Sequence, residues 1–105
     1  MKAYLIVDVQ IFDPVKFRDY AIATSGLVEK AGGKYLALGG GDMACLEGTP
    51  FKGKSVISEW PSRAAVLAFW HSPEYAEARK LREGIANASV TLLDGVAATP
   101  LETPK

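Results

Sequence analysis

One short segment matches a well-known phosphate-binding pattern. Residues 48–55 are GTPFKGKS, which fits the G-x-x-x-x-G-K-[ST] pattern of phosphate-binding loops. Such a loop works because a helix follows it and directs its positive end toward the phosphates. Here the next residues are SVISEW, which predicts a strand, and Pro50 removes one backbone N–H donor. We therefore predict a turn-rich hairpin connection and no nucleotide binding.

Two carboxylates interrupt predicted strands that are otherwise largely apolar. Asp8 lies in AYLIVDVQIF and Glu59 lies in SVISEW. A buried carboxylate is costly unless it is paired, so two that point into one cavity would form an acid–base or ligand-orienting pair. Alternatively, Asp8 lies near the solvated end of its strand and Glu59 pairs with a lysine or arginine. Asp8 and Glu59 are therefore candidate catalytic residues, with both interpretations open.

His71 is the only histidine of the chain. Histidine is the usual general base near neutral pH, which makes His71 a third candidate catalytic residue. The alternative is that His71 ends a helix, where the helix dipole favours an imidazolium. A single histidine without partners at ligand spacing does not predict a metal site.

One arginine and two tyrosines are candidate ligand-binding residues. Arg82 shares the inward stripe of a predicted helix with Tyr75, so it could hold a carboxylate from Glu59 or from a ligand, although a structural ion pair is the alternative. Tyr4 and Tyr35 are predicted to line a pocket. The other aromatic residues are assigned mostly to core packing, because aromatic residues at helical or strand spacing usually pack. These residues are Tyr20, Trp60, Trp70 and Tyr75.

Size and charge exclude several classes of protein. A chain of 105 residues is one domain. Its 12 basic and 12 acidic residues give a formal net charge of zero, so nucleic-acid binding is not expected. The single cysteine, Cys45, excludes an internal disulfide. Asp8 and Gln10 break the N-terminal apolar run, and no run approaches the ~20 residues of a membrane span. We expect a cytoplasmic protein with no membrane partner.

The candidate residues must be positioned by a short series of strands and helices. In chain order these are a strand in AYLIVDVQIF, a helix from Asp13-Pro14 to Gly32-Gly33, a strand in KYLALGGG, a short strand or irregular arm over residues 43–47, a strand in SVISEW, helical segments starting at Ser62 and at Ser72-Pro73, and a strand over residues 87–96. This βαββαβ order predicts an α+β, ferredoxin-like domain over residues 1–96. Residues 97–105 are predicted to be a C-terminal tail.

One face of the predicted sheet needs a partner. The fold is a four-stranded antiparallel sheet with helices on one face only. The open face is predicted to carry Tyr4, Ile6, Asp8, Ile57 and Glu59. Because this mixture is too apolar for solvent, we expect two copies of the chain to pack sheet against sheet as a homodimer.

Several motifs resemble one family of small bacterial proteins. They are Asp13-Pro14, Tyr20, Gly32-Gly33-x-Tyr35-Leu36, Glu47-Gly48, Trp60-Pro61-Ser62, Ala65, Phe69-Trp70 and Ser72-Pro73-Glu74-Tyr75. From about Tyr4 to about Gly95 the chain resembles the domain-of-unknown-function family 1330, of the dimeric α/β-barrel superfamily. The resemblance implies two ferredoxin-like protomers whose sheets form one barrel. It implies no activity and transfers no catalytic residue.

The sequence leaves three classes of function open. The leading hypothesis is a homodimeric α/β-barrel protein that binds a small organic acid or aromatic compound in a cleft. The cleft would open between the sheet and the helices or the partner's edge. Such a protein would transform its ligand without a cofactor, through acid–base chemistry, or would only bind it. The third class is a structural dimerisation domain.

Overall fold

The computed structural model describes residues 1–39 and 41–96. Its elements are β1 (Ala3–Ile11), α1 (Pro14–Lys30), β2 (Lys34–Ala37), β3 (Lys54–Trp60), α2 (Arg63–Trp70), α3 (Pro73–Lys80) and β4 (Ala86–Asp94). The predicted βαββαβ order is confirmed, with the second helical region divided into α2 and α3. The predicted tail, residues 97–105, lies outside the described residues.

The four strands form one antiparallel sheet in the order β2-β3-β1-β4. Strand β1 is central and pairs along its length with β3 and β4. The helices pack on one face of this sheet, which confirms the predicted α+β, ferredoxin-like fold. Because side chains alternate along a strand, Leu5 and Val7 face the helices, whereas Tyr4 and Asp8 face the open side of the sheet.

Each helix begins at a residue whose side chain caps it. Asp13, Ser62 and Ser72 each accept a hydrogen bond from the backbone N–H three residues further on, at 3.1, 3.1 and 3.2 Å. Pro14 and Pro73 occupy first helical positions, where the missing N–H costs nothing. These caps fix where α1, α2 and α3 begin, and so which side chains they turn toward the sheet.

The core is densest against the first half of β1 and the end of β3. Its fully enclosed centre is Trp60, which is 0% exposed. The Phe69 ring lies 5.0 Å from the Trp60 ring and 4.5 Å from the Tyr75 ring, centroid to centroid. The buried cluster consists of Ala3, Leu5, Val28, Trp60, Val66, Phe69, Tyr75 and Ala78.

The described part of the segment between β2 and β3 contains neither a strand nor a helix. The GTPFKGKS stretch leads into β3, as predicted, so the helix that a phosphate loop requires is missing. The N–H of Gly53 donates to Asp8 Oδ1 at 3.1 Å, so this N–H of the segment is already used within the protein. A Cβ at Gly53 would overlap the Val9 carbonyl, so glycine is required there. Met43 to Glu47 is irregular rather than a strand.

No helix within residues 1–39 and 41–96 combines the length and the apolar character needed to cross a bilayer.

Candidate functional site

A cavity of about 290 Å³ lies between the sheet and the helices. The inward-facing residues of β1 and β3, among them Val7, Val9 and Val56, form its floor. The α1 residues Phe17 and Ala21 contribute to the opposite wall. Most of the lining is aliphatic or aromatic, which is the usual character of small-molecule sites. The cavity therefore has the size and walls for a small organic ligand.

Two tyrosine hydroxyls meet in the wall of this cavity. The Tyr20 hydroxyl on α1 and the Tyr75 hydroxyl on α3 lie 2.8 Å apart and share a hydrogen bond. Tyr75 is only 2% exposed. Burial is the main cause that raises the pKa of Tyr75 far above its usual value, and the neighbouring Tyr20 adds to this, while the positive charge of Arg82 opposes it. Tyr75 therefore keeps its proton to a higher pH than an exposed tyrosine does.

Arg82 lies beside this pair, in the turn that joins α3 to β4. Its carbonyl accepts from the N–H groups of Ile85 and Ala86, both at 3.2 Å, which fixes the turn. Its Cζ lies 5.4 Å from the centroid of the Tyr20 ring, a cation–π contact. Arg82 Nε is enclosed and has no hydrogen-bond partner. Within the described part of the chain Arg82 also has no carboxylate partner.

Two further polar residues border the cavity. Tyr35 lies in its wall, where the sequence predicted a pocket-lining tyrosine. Burial raises the pKa of Tyr35, although its hydrogen bond with Ser25 acts in the opposite direction. Thr24 is 8% exposed and its Oγ1 has no hydrogen-bond partner. The cavity wall thus contains polar residues among its apolar ones, with Thr24 Oγ1 itself enclosed.

Tyr4 and Glu59 lie on the opposite, open face of the sheet. They are register partners on β1 and β3. The Tyr4 hydroxyl donates to Glu59 Oε2 at 3.0 Å, and Lys2 Nζ lies 3.5 Å from Glu59 Oε1. The hydrogen bond to Glu59 is the main cause that raises the pKa of Tyr4. Glu59 therefore pairs with a lysine, and the suggested pairing with Arg82 is wrong because the sheet separates the two residues.

Asp8 lies on the same open face as Glu59 but not beside it. Asp8 is opposite Ser55, four residues from Glu59 along β3, which corresponds to about 13 Å. Its carboxylate accepts from the Gly53 N–H. The hypothesis that Asp8 and Glu59 converge on one cavity is therefore wrong for the protomer, because each is held at a different end of the strands. A catalytic role for either stays a prediction.

His71 is exposed and ends α2, where its N–H donates to the Leu67 carbonyl at 3.0 Å. This is the helix-end position that the sequence suggested as the alternative to a general base. His71 does not line the cavity. The described structure thus brings Tyr35 and Arg82 to one cavity and leaves Tyr4, Asp8, Glu59 and His71 outside it, so a catalytic role for His71 also stays a prediction.

Sequence reasoning assigned Tyr20 and Tyr75 mainly to packing and missed their paired hydroxyls. No local signal in the sequence reports this pair, since the two tyrosines lie on different helices, 55 residues apart. Tyr20 and Tyr75 belong to the motifs that carry the family resemblance.

The chain is thus a small ferredoxin-like α+β domain with a cavity between its sheet and its helices. The model of the domain of unknown function DUF1330 matches residues 2–96. The chain belongs to this family. No protein with a curated description is significantly similar to it in sequence.

Solved structures share the fold at low sequence identity. A protein of unknown function from Rhodopseudomonas palustris is 22% identical with a TM-score of 0.72, covering 92% of this chain and 84% of that one. SnoaB, a cofactor-independent oxygenase from Streptomyces nogalater, is 10% identical with a TM-score of 0.63, covering 95% and 98%. A possible oxidoreductase from Bacteroides thetaiotaomicron is 12% identical with a TM-score of 0.58, covering 90% and 97%. At these identities the likeness establishes the fold alone.

Proposed function

We propose that this protein binds a small organic molecule in the cavity between the sheet and the helices. The observation that carries the proposal is the cavity of about 290 Å³ with apolar walls and one polar cluster, formed by Tyr20, Tyr75 and Arg82. Apolar walls supply affinity by removing ligand surface from water, and a few polar groups orient the ligand. The proposed protein uses no cofactor and binds neither nucleic acid nor a membrane. Its proposed location is the cytoplasm.

The proposal includes a homodimer formed through the open face of the sheet. Ile6 and Ile57 are paired near the middle of that face, and Leu93 beside Tyr4 is 51% exposed. A sheet-on-sheet contact of ~800 Å² per protomer would be ordinary in size. Native mass spectrometry should show a dimer, and Ile57→Asp should give a monomer because it buries an unpaired charge in the contact. A wild-type protein that is monomeric at micromolar concentration would refute the dimer.

A pair of neighbouring substitutions tests binding in the cavity. Ala21 lines the cavity, whereas Ile22 is 62% exposed on the outer side of α1. Ala21→Phe should fill the space and abolish binding of one-ring and two-ring aromatic probes, measured by calorimetry. Ile22→Phe, the matched control, should bind as the wild type does. Equal binding by both variants, or no binding of any probe by the wild type, would contradict the proposed function.

A second candidate is a cofactor-free acid–base enzyme that uses the same cavity. The specific observation in its favour is the pair of hydroxyls of Tyr75 and Tyr20, 2.8 Å apart in the cavity wall, because a preorganised hydroxyl can donate to an oxygen that becomes negative. Asp8, Glu59 and His71 would then act only if a second protomer brought them near a ligand. A purely structural dimerisation domain needs no cavity, so the cavity favours the first two candidates.

Deuterium exchange separates the enzyme from the binding protein. Phenylpyruvate carries exchangeable protons on the carbon next to its ketone, and exchange replaces a proton by a deuteron without any other reactant. An enzyme of this class should accelerate exchange in D2O above the buffer rate, with water or a buffer base taking the carbon proton while the Tyr75 hydroxyl stabilises the enolate oxygen. Tyr75→Phe should then remove the acceleration. Binding of phenylpyruvate without acceleration would support the non-catalytic protein.

A further inference from the structure

We infer that the ligand of the cavity is an aromatic carboxylate and that Arg82 is its charge partner. This inference rests on the proposed function, that the cavity binds a small organic molecule. It adds the chemical class of the ligand and the residue that selects it.

The charges around the cavity are all of one sign. Among the described residues that line it, Lys54 and Arg82 are basic and none is acidic. Lys54 is exposed, so water screens its charge. Arg82 is half-buried, with its Nε fully enclosed. The cavity therefore contains a positive charge that the described protein does not neutralise.

A charge that is partly buried without a counterion loses hydration, which costs free energy. The Tyr20 ring, 5.4 Å from Arg82 Cζ, offsets part of that cost through a cation–π contact. The ring does not neutralise the charge. An anionic ligand in the cavity, which Arg82 lines, would supply the missing negative charge.

The neighbouring groups favour a carboxylate among the possible anions. The guanidinium is planar and donates in a fixed geometry that matches carboxylate and phosphate oxygens alike, and a carboxylate carries the single negative charge that one arginine balances. The Tyr20–Tyr75 hydroxyl pair lies in the wall beside it. The remaining wall includes the partly exposed rings of Phe17 and Trp70, which suit a flat apolar body.

The test compares two probes that differ only in charge, 2-naphthoate and 2-naphthamide, by titration calorimetry at pH 7. The wild type should bind the carboxylate at least ~10-fold more tightly, as expected for a charge-assisted hydrogen bond. Arg82→Met, which keeps an apolar stem, should lose this preference and bind the amide within about threefold of the wild type. Arg18→Met removes an exposed arginine of α1 that does not line the cavity, and it should leave both affinities unchanged.

The failures of the two proposals are distinguishable. Binding of both probes by the wild type with equal affinity would overturn the anion assignment and leave the proposed function standing. Binding of neither probe would overturn both. A carboxylate preference that survives in Arg82→Met would overturn the role of Arg82. The ratio of the two wild-type affinities is decisive by itself, so the inference can be refuted even if Arg82→Met does not fold. In that case Arg82→Lys tests the role of the residue while retaining its charge.

Discussion

Polar groups on the two faces of the sheet differ in whether they have hydrogen-bond or ion-pair partners within the protomer. On the open face, Glu59 engages Tyr4 and Lys2, and Asp8 engages the Gly53 N–H. On the helix face, Arg82 and Thr24 line a cavity, and Arg82 Nε and Thr24 Oγ1 are enclosed without a hydrogen-bond partner. The carboxylates of Asp8 and Glu59, which interrupt apolar strands, have hydrogen-bond partners within the protomer. Residues of the cavity wall contain polar atoms that have none. Ser55 Oγ is the exception on the open face.

This contrast teaches that an unusual residue type is a weaker sign of a site than an unsatisfied one. A carboxylate in an apolar strand is conspicuous in a sequence, yet one backbone N–H and one lysine are enough to explain Asp8 and Glu59. A tyrosine at helical spacing is inconspicuous, and only the structure shows that Tyr20 and Tyr75 share a hydrogen bond at a cavity wall.

The largest expected effect is on stability at the helix face. Trp60 is 0% exposed, so Trp60→Ala should lower the free energy of unfolding by ~3–5 kcal/mol. Leu93 on the open face is 51% exposed, so Leu93→Ala should cost less than ~1 kcal/mol within one protomer. Urea unfolding at low protein concentration measures both. Equal losses would remove the distinction between the two faces.

The hydroxyl pair should contribute a smaller but coupled amount. Tyr20→Phe and Tyr75→Phe each leave the other hydroxyl without its partner, so each should cost ~1–2 kcal/mol of unfolding free energy. The double variant should cost about 1 kcal/mol less than the sum of the two single losses. Strictly additive losses in urea unfolding would mean that the hydroxyls do not interact.

The raised pKa of Tyr75 predicts a stability change at alkaline pH. Below its usual value of 10.0, Tyr75 is protonated in both the folded and the unfolded chain, so its contribution is constant. Above pH 10 the unfolded chain releases this proton while the folded chain retains it, and the free energy of unfolding must fall. Tyr75→Phe should therefore lose less stability than the wild type between pH 10 and pH 11. Parallel pH profiles would refute the raised pKa.

The smallest effects are expected for the open-face carboxylates. Asp8→Asn keeps an oxygen that can accept from Gly53, and Glu59→Gln keeps one for Tyr4 while losing the ion pair with Lys2. Because Lys2 is 62% exposed, that ion pair contributes little. Each variant should change the unfolding free energy by less than ~1 kcal/mol and leave 2-naphthoate affinity unchanged. A tenfold loss of affinity in either would show that the open face contributes to the site.

The fold was largely predictable because local signals agreed with one another. Asp13-Pro14, Ser62 and Ser72-Pro73 mark helix starts by side-chain capping, and each caps in the structure. The alternation in β1 separated Leu5 and Val7 from Tyr4 and Asp8. The irregular segment before β3 was less predictable, since its described residues pair with no strand.

The site was predictable only in part, because local sequence patterns do not determine which residues from different elements lie close together in the fold. Arg82 and Tyr35 line the cavity, but the predicted helical stripe was too long, since α3 ends at Lys80 and Arg82 lies in the turn that follows. The sequence could not show that Asp8 pairs with Ser55, four residues from Glu59 along β3, so that the two carboxylates lie apart on the same face. Nor could it show that Tyr20, on α1, meets Tyr75, on α3.

The most direct test of ligand binding in the helix-side cavity uses the two tryptophans of the chain. Both Trp60 and Trp70 line the cavity, so each indole N–H signal in a nitrogen–proton NMR spectrum reports on it. Titration with 2-naphthoate should shift both indole signals saturably and leave the backbone signals of Ile6 and Ile57 nearly unmoved. Saturable shifts at Ile6 and Ile57 with stationary indole signals would place the binding site on the open face and contradict this account.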